Sequence, residues 1–135
     1  MPITYNEKTE IAREQIVHLY RANNWSSAEK PATLQQALHN SHALISAWDN
    51  DTLVGLANAI SDGHLVVYYP HMLVLPDYQG QGIGKMLMAK LLEKYQGFHQ
   101  HMITADADAI GFYKKCGFTQ AGKTASMWIY AGDDH

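Results

Sequence analysis

Apolar residues recur along this chain with two periods, and each stretch ends at turn-forming residues. Ala12, Ile16, Leu19 and Tyr20 stand at i, i+4, i+7 and i+8, which is one face of a helix, and Thr9 offers an N-cap before them. Ile3 to Tyr5 predicts a short strand ahead of that helix. Asn23, Asn24, Ser26 and Ser27 break the pattern around Trp25, and Pro31 then opens a second helix using Leu34, Ala37 and Leu38. His42 to Trp48 and Thr52 to Ile60 flank Asp49-Asn50-Asp51 as the arms of a hairpin, and Ser61-Asp62-Gly63 forms the next turn. Leu65 to Leu75, rich in Val and Tyr, predicts a third antiparallel strand. Helical spacing returns from Ile83 through Met86, Leu87, Leu91 and Tyr95 and stops at Gly97. Phe98 to Thr104 predicts a strand and Asp106 caps a helix ending at Gly117. Phe118 to Gln120 and Ala125 to Ala131 predict a closing strand pair around Gly122. The expected architecture is α/β (α+β), one domain over residues 1–135, in the order β-α-α-β-β-β-α-β-α-β-β.

The junction between the third strand and the helix from Ile83 carries the most chemistry. Leu73, Val74 and Leu75 end the apolar run, Pro76 stops it, and Gln79, Gly80, Gln81, Gly82, Ile83, Gly84 and Lys85 follow. Such a loop turns several backbone N–H groups toward one point at the positive end of a helix dipole, which suits a phosphate or pyrophosphate. One glycine suffices for a plain turn, whereas three at alternate positions add an entropic cost on folding. Two nucleotide loops fit poorly. A Walker A loop needs Lys followed by Ser or Thr, and here Met86 follows Lys85; a Rossmann loop spaces its glycines G-x-G-x-x-G, and here they run G-x-G-x-G.

Composition narrows the classes further. A chain of 135 residues holds one core, and charges interrupt every apolar stretch before the length a membrane span requires. Met1 to Tyr20 shows no basic segment leading an apolar one, so no signal peptide is expected, and a single cysteine excludes an internal disulfide. These features predict a soluble, cytoplasmic protein. A net charge of −3 argues against a nucleic-acid binder, which needs a basic face, and permits a cationic acceptor.

Q-x-x-G-x-G at Gln79, Gly82 and Gly84 after a V-x-P, with F-Y-K-K-C-G-F from Phe112 to Phe118 further on, resembles the GCN5-related N-acetyltransferases. Their coenzyme motif is (Q/R)-x-x-G-x-(G/A). Their second signature, A-x-x-F-Y in a short helix ending at G-F, is matched by Ala109, Phe112, Tyr113, Gly117 and Phe118. The resemblance implies a mixed, mostly antiparallel sheet flanked by helices, acetyl-coenzyme A as co-substrate, an amine acceptor, and, as in many members, a homodimer. It implies that the pantetheine arm pairs with the backbone of Leu73, Val74 and Leu75 and that the loop from Gln79 to Lys85 holds the pyrophosphate. It makes the amide of Val74 or Leu75 the donor to the thioester oxygen. Tyr113 becomes the general acid, since a phenol of pKa ~10 keeps its proton at neutral pH and can pass it to a thiolate of pKa ~8.5. Tyr20, Trp25, Tyr68 and Tyr69 become the acceptor wall.

Two positions depart from the family. His71 stands where members often carry Asp or Glu, and an imidazole of pKa ~6.5 is a reasonable base. Asp106 stands where they usually have Asn, and an ionised carboxylate cannot donate, so helix capping is its expected role. Cys116 sits at a helix end, where the dipole weakens a thiol nucleophile. Direct transfer in a ternary complex is therefore expected. His99 and His101 lack further ligands at useful spacing, so no metal is expected. The expected activity is acetylation of a small primary amine. A protein N-terminal or lysine acetyltransferase and a non-catalytic acyl-coenzyme A module stay open, with Tyr113 favouring catalysis.

Overall fold

The computed structural model describes residues 2–132. Its first strand, β1 (Thr4–Asn6), pairs antiparallel with β2 (Ala43–Asp49), which pairs antiparallel with β3 (Thr52–Ser61). The hairpin turns at Asn50, whose φ of 53° is one that Asn tolerates better than most residues. Between β1 and β2 lie helix α1 (Arg13–Ala22) and helix α2 (Pro31–His39), joined through a 3-10 turn at Ser26–Glu29. Helix α1 starts later than Thr9 suggests. Ala12 occupies the cap position, and the Thr9 hydroxyl lies 3.4 Å from His39 Nδ1 instead.

Leu53, Val54, Leu56, Ala57 and Ala59 of β3 are all buried. A strand buried on both faces needs cover on both, and α1 and helix α3 (Ile83–Glu93) pack against it. Ile16, Leu19 and Tyr20 of α1 and Ile83, Leu87, Met88 and Leu91 of α3 join one contiguous core. At roughly 1.5–3 kcal/mol for each fully buried large apolar side chain, these two stripes are a main source of stability. Among the described residues no helix is long and apolar enough to cross a membrane.

The expected strand from Leu65 to Leu75 divides in two, and the division creates the site. β4 (Val66–Tyr68) pairs with Ile60 and Ser61 of β3, while β5 (Met72–Val74) pairs with Gly55, Leu56 and Ala57. Pro70 lies in the gap and has no N–H to give a ladder. Asn58 bridges the interruption, donating its N–H to the His71 carbonyl at 3.1 Å and accepting the His71 N–H on Oδ1 at 3.1 Å. Strand β6 (Gln100–Met102), shorter than the expected Phe98 to Thr104, runs parallel to β4 and is the only parallel neighbour among the described strands. Beyond the bond from Tyr69 N–H to the Met102 carbonyl the two part, so the far edge of β5 has no strand partner among the described residues.

The closing strand pair is not formed. Helix α4 (Ile110–Lys115) ends at Gly117, and 118–132 follows as irregular chain, with Met127 and Ile129 almost fully exposed. Its alternating apolar residues have strand propensity, yet a strand is stabilised by pairing and by a face to pack on, and among the described residues this segment pairs with no strand. Instead Trp128 stacks on Tyr130 at 4.4 Å, and the Tyr130 hydroxyl lies 3.4 Å from Ser26 Oγ.

Candidate functional site

Leu75 N–H bonds to the Val54 carbonyl at 2.8 Å and its own carbonyl accepts from Tyr78 N–H at 2.8 Å, while Leu73 stands in register with Leu56, so the backbone groups of residues 73 and 75 are spent inside the protein. Met72 and Val74, alternating with them, point theirs to the unpaired edge. The expected choice between the Val74 and Leu75 amides thus narrows to Val74, and Leu73 and Leu75 cannot pair with a ligand as supposed. The Val74 carbonyl already accepts from Asn23 Nδ2 at 3.2 Å and Gln79 Nε2 at 3.1 Å. Gln79 therefore braces the loop against β5.

After a 3-10 turn at Pro76–Tyr78, anchored by the Tyr78 hydroxyl donating to Asp49 Oδ2 at 2.6 Å, the chain enters the glycine loop. Gly80 and Gly82 adopt φ of 80° and 84°, and a Cβ on either would meet nothing within 4 Å. Gly82 is the N-cap of α3, so the first N–H groups of that helix open toward the same space. Gly84 serves packing, since a Cβ there would touch Met72 Sδ and Phe112 Cζ at 3.4 Å.

These elements border a cleft of ≈ 610 Å³. Leu73, Val74, Gln79, Gly80, Gly82, Ile83, Gly84 and Lys85 line it, together with Trp25 from the expected acceptor wall. Leu75, Gln81 and His71 do not. Phe112 of the second motif also lines it, as do Asn23, Met72, Tyr78 and Lys115, which were not marked as site residues by sequence because each arrives through tertiary packing. Asp106 is a correction. Its side chain makes no cap bond at the 3-10 turn Ala107–Ala109 and it lies on the cleft wall.

Tyr113, on α4, is packed edge-on against Phe112 at 5.1 Å and Phe118 at 6.0 Å. Burial, with smaller effects from Cys116 and Asp106, pushes its phenol up to about 12. It does not line the cleft as described, although its neighbours Phe112 and Cys116 do. Burial also raises the Cys116 thiol, outweighing the opposite pull of Lys85, which leaves it a poor nucleophile at neutral pH.

His71 sits behind Trp25, ring centroids 5.1 Å apart, with its Nδ1 2.7 Å from the Tyr20 hydroxyl. Three of the four aromatic residues proposed for an acceptor wall are absent from the cleft. Tyr20 is fully buried in the core; Tyr69 is buried against Tyr95, its hydroxyl 2.8 Å from His101 Nδ1; Tyr68 lies exposed on β4. Period-two alternation explains the contrast between Tyr68 and Tyr69, because neighbours along a strand face opposite ways, and Tyr20 belongs to the core stripe of α1. Among the described residues no group of three His, Cys, Asp or Glu is placed to hold a metal.

Comparison with known proteins places this arrangement. A solved GNAT-family acetyltransferase from Streptococcus pneumoniae TIGR4 superposes with a TM-score of 0.83 at 32% identity, over 96% of this chain and 98% of that one. The protein named uncharacterized N-acetyltransferase ycf52 from Gracilaria tenuistipitata var. liui is 38% identical over 68 residues, which is 49% of this chain and 37% of that protein. Peptidyl-lysine N-acetyltransferase YjaB of Salmonella typhimurium is 38% identical over 65 residues, 46% of this chain and 45% of its own length. The matched region thus spans less than half of either of these two relatives. The profile of the acetyltransferase (GNAT) family matches residues 10–118, from before α1 to the Phe that closes the second motif, and the chain belongs to that family.

Proposed function

We propose that this chain is an acetyl-coenzyme A dependent N-acetyltransferase that acts in the cytoplasm on the primary amine of a small molecule, by direct attack within a ternary complex. The observation that carries this reading is the convergence of two backbone features on one cleft: the N–H of Val74 on an unpaired strand edge, and the glycine-capped start of α3. Family membership supports the same chemistry. The residues fit the coenzyme. Open space at the Cβ positions of Gly80 and Gly82 leaves room for a pyrophosphate against the first amides of α3, and Lys85 and Lys115 supply positive charge on the same wall.

The coenzyme, when bound, supplies the activated acetyl group. Val74 N–H is aimed at the edge where negative charge would develop on the thioester oxygen. Tyr113 holds a proton on Oη that burial keeps in place across the working pH range and that a departing thiolate can take. The protonated Cys116 leaves no ready acyl-cysteine route. Trp25 lines the cleft and carries His71 against its ring, and this pair is the acceptor side in the present reading.

A protein lysine acceptor is the second reading, favoured by the similarity to the Salmonella peptidyl-lysine enzyme. A screen of small amines, aminoglycosides, amino acids and lysine peptides with acetyl-coenzyme A, following thiol release, separates the two. Turnover confined to peptides rejects the small-molecule acceptor. No thiol release with any amine, despite measurable coenzyme binding, rejects catalysis.

A further inference from the structure

Tyr20 is fully buried on α1, and its hydroxyl is 2.7 Å from His71 Nδ1, its one hydrogen-bond partner among the described residues. A phenol proton in an apolar core must be donated or be left unpaired, and an unpaired buried donor is costly. Burial also holds this phenol well above the usual tyrosine range, so its proton stays in place. His71 is held through its backbone and on two sides of its ring. Asn58 clamps the His71 backbone through its N–H and Oδ1, with its own Nδ2 donating to Ser41 Oγ at 3.0 Å. Tyr20 meets the ring edge-on at 5.4 Å and Trp25 at 5.1 Å.

We infer that Tyr20 donates its phenol proton to Nδ1 and so locks neutral His71 in the tautomer protonated at Nε2. His71 then meets the acceptor as a hydrogen-bond donor, and Tyr20 is a positioning residue. This role rests on the acetyl-transfer reading above; the tautomer does not. With Nε2 already protonated, a proton could be taken up only at Nδ1, which would strand the Tyr20 O–H in the core. His71 is thus unsuited to be the base that its position in the sequence suggests. The acceptor ammonium gives its proton to water, and the free amine attacks.

Long-range proton–nitrogen correlation spectra of the nitrogen-15 labelled chain at neutral pH read the tautomer without any substrate. His71 is assigned among the eight histidines by the signal lost in His71→Gln. The expected pattern is an unprotonated Nδ1 and a protonated Nε2, turning to a tautomer mixture in Tyr20→Phe, which keeps the ring. A protonated Nδ1 in the wild type overturns the lock, whether or not Tyr20→Phe folds. For the donor role, His71→Gln retains an amide donor and should turn over about tenfold faster than His71→Ala, the worth of one hydrogen bond. Equal rates overturn it. If the lock is seen while no amine is acetylated, the tautomer stands and acetyl transfer fails.

Discussion

Gly82→Asp tests the phosphate cradle, because two effects of the substitution can be separated. The first is backbone strain. Gly82 has φ of 84°, and holding a side-chain-bearing residue in left-handed backbone costs roughly 1–2 kcal/mol, less for Asp than for most. At about 4 °C per kcal/mol for a chain near this size, melting should fall by about 4–8 °C, which the fold survives. The second effect is electrostatic. The Cβ enters open cleft space, and a carboxylate about 4 Å from one phosphate charge at an effective dielectric near 20 repels it by about 4 kcal/mol. Allowing for screening, coenzyme affinity should fall by about 100- to 1,000-fold. Gly97→Asp is the matched control, since Gly97 has φ of 86°, equal open space and a place at the far end of α3. It should show the same melting loss with unaltered binding. Isothermal calorimetry with acetyl-coenzyme A, on variants shown folded by circular dichroism, reads both. A Gly82→Asp dissociation constant within threefold of that of Gly97→Asp would refute the cradle.

Tyr113→Phe keeps the ring packing, so coenzyme affinity should hold while single-turnover acetyl transfer falls by about tenfold or more; an unchanged single-turnover rate removes Tyr113 from the mechanism. The same phenol contributes to alkaline stability. Its folded pKa is raised from 10.0 to about 12, so its contribution is complete below pH 10 and is lost as pH rises toward 12. Melting temperature should drop across that window, less steeply in Tyr113→Phe, and identical slopes would count against its burial. Asn23→Ala removes donors to the Leu19 and Val74 carbonyls, 3.1 and 3.2 Å away, and should cost about 1 kcal/mol in urea unfolding. A midpoint equal to wild type would show those bonds to be dispensable.

Elements whose determinants are local were legible in the sequence. The apolar face of α1, the Asn50 hairpin and the Gly82 cap each follow from spacing or from one residue's backbone preference. The family motifs supplied the cleft. What failed required knowing which edges meet. The run from Leu65 to Leu75 has unbroken strand character apart from Pro70, and only the pairing of its ends with separate parts of β3 divides it. The tail has strand propensity but pairs with no strand among the described residues. Asn23 reads as a helix breaker until folding brings it to Val74. Tyr68 and Tyr69 share composition and position, and alternation sends one to solvent and the other to the core.

The saturated carbonyl of Val74 makes the bare edge of β5 selective in what can join it. Both lone pairs of that oxygen are spoken for by the side-chain amides of Asn23 and Gln79, while the adjoining N–H faces outward. A peptide strand from another molecule needs to give and receive hydrogen bonds in alternation, and would have to displace two internal amides to do so. A ligand that brings only an acceptor loses nothing. An edge that no described strand covers can therefore stand beside the cleft without inviting strands of neighbouring molecules to add to it.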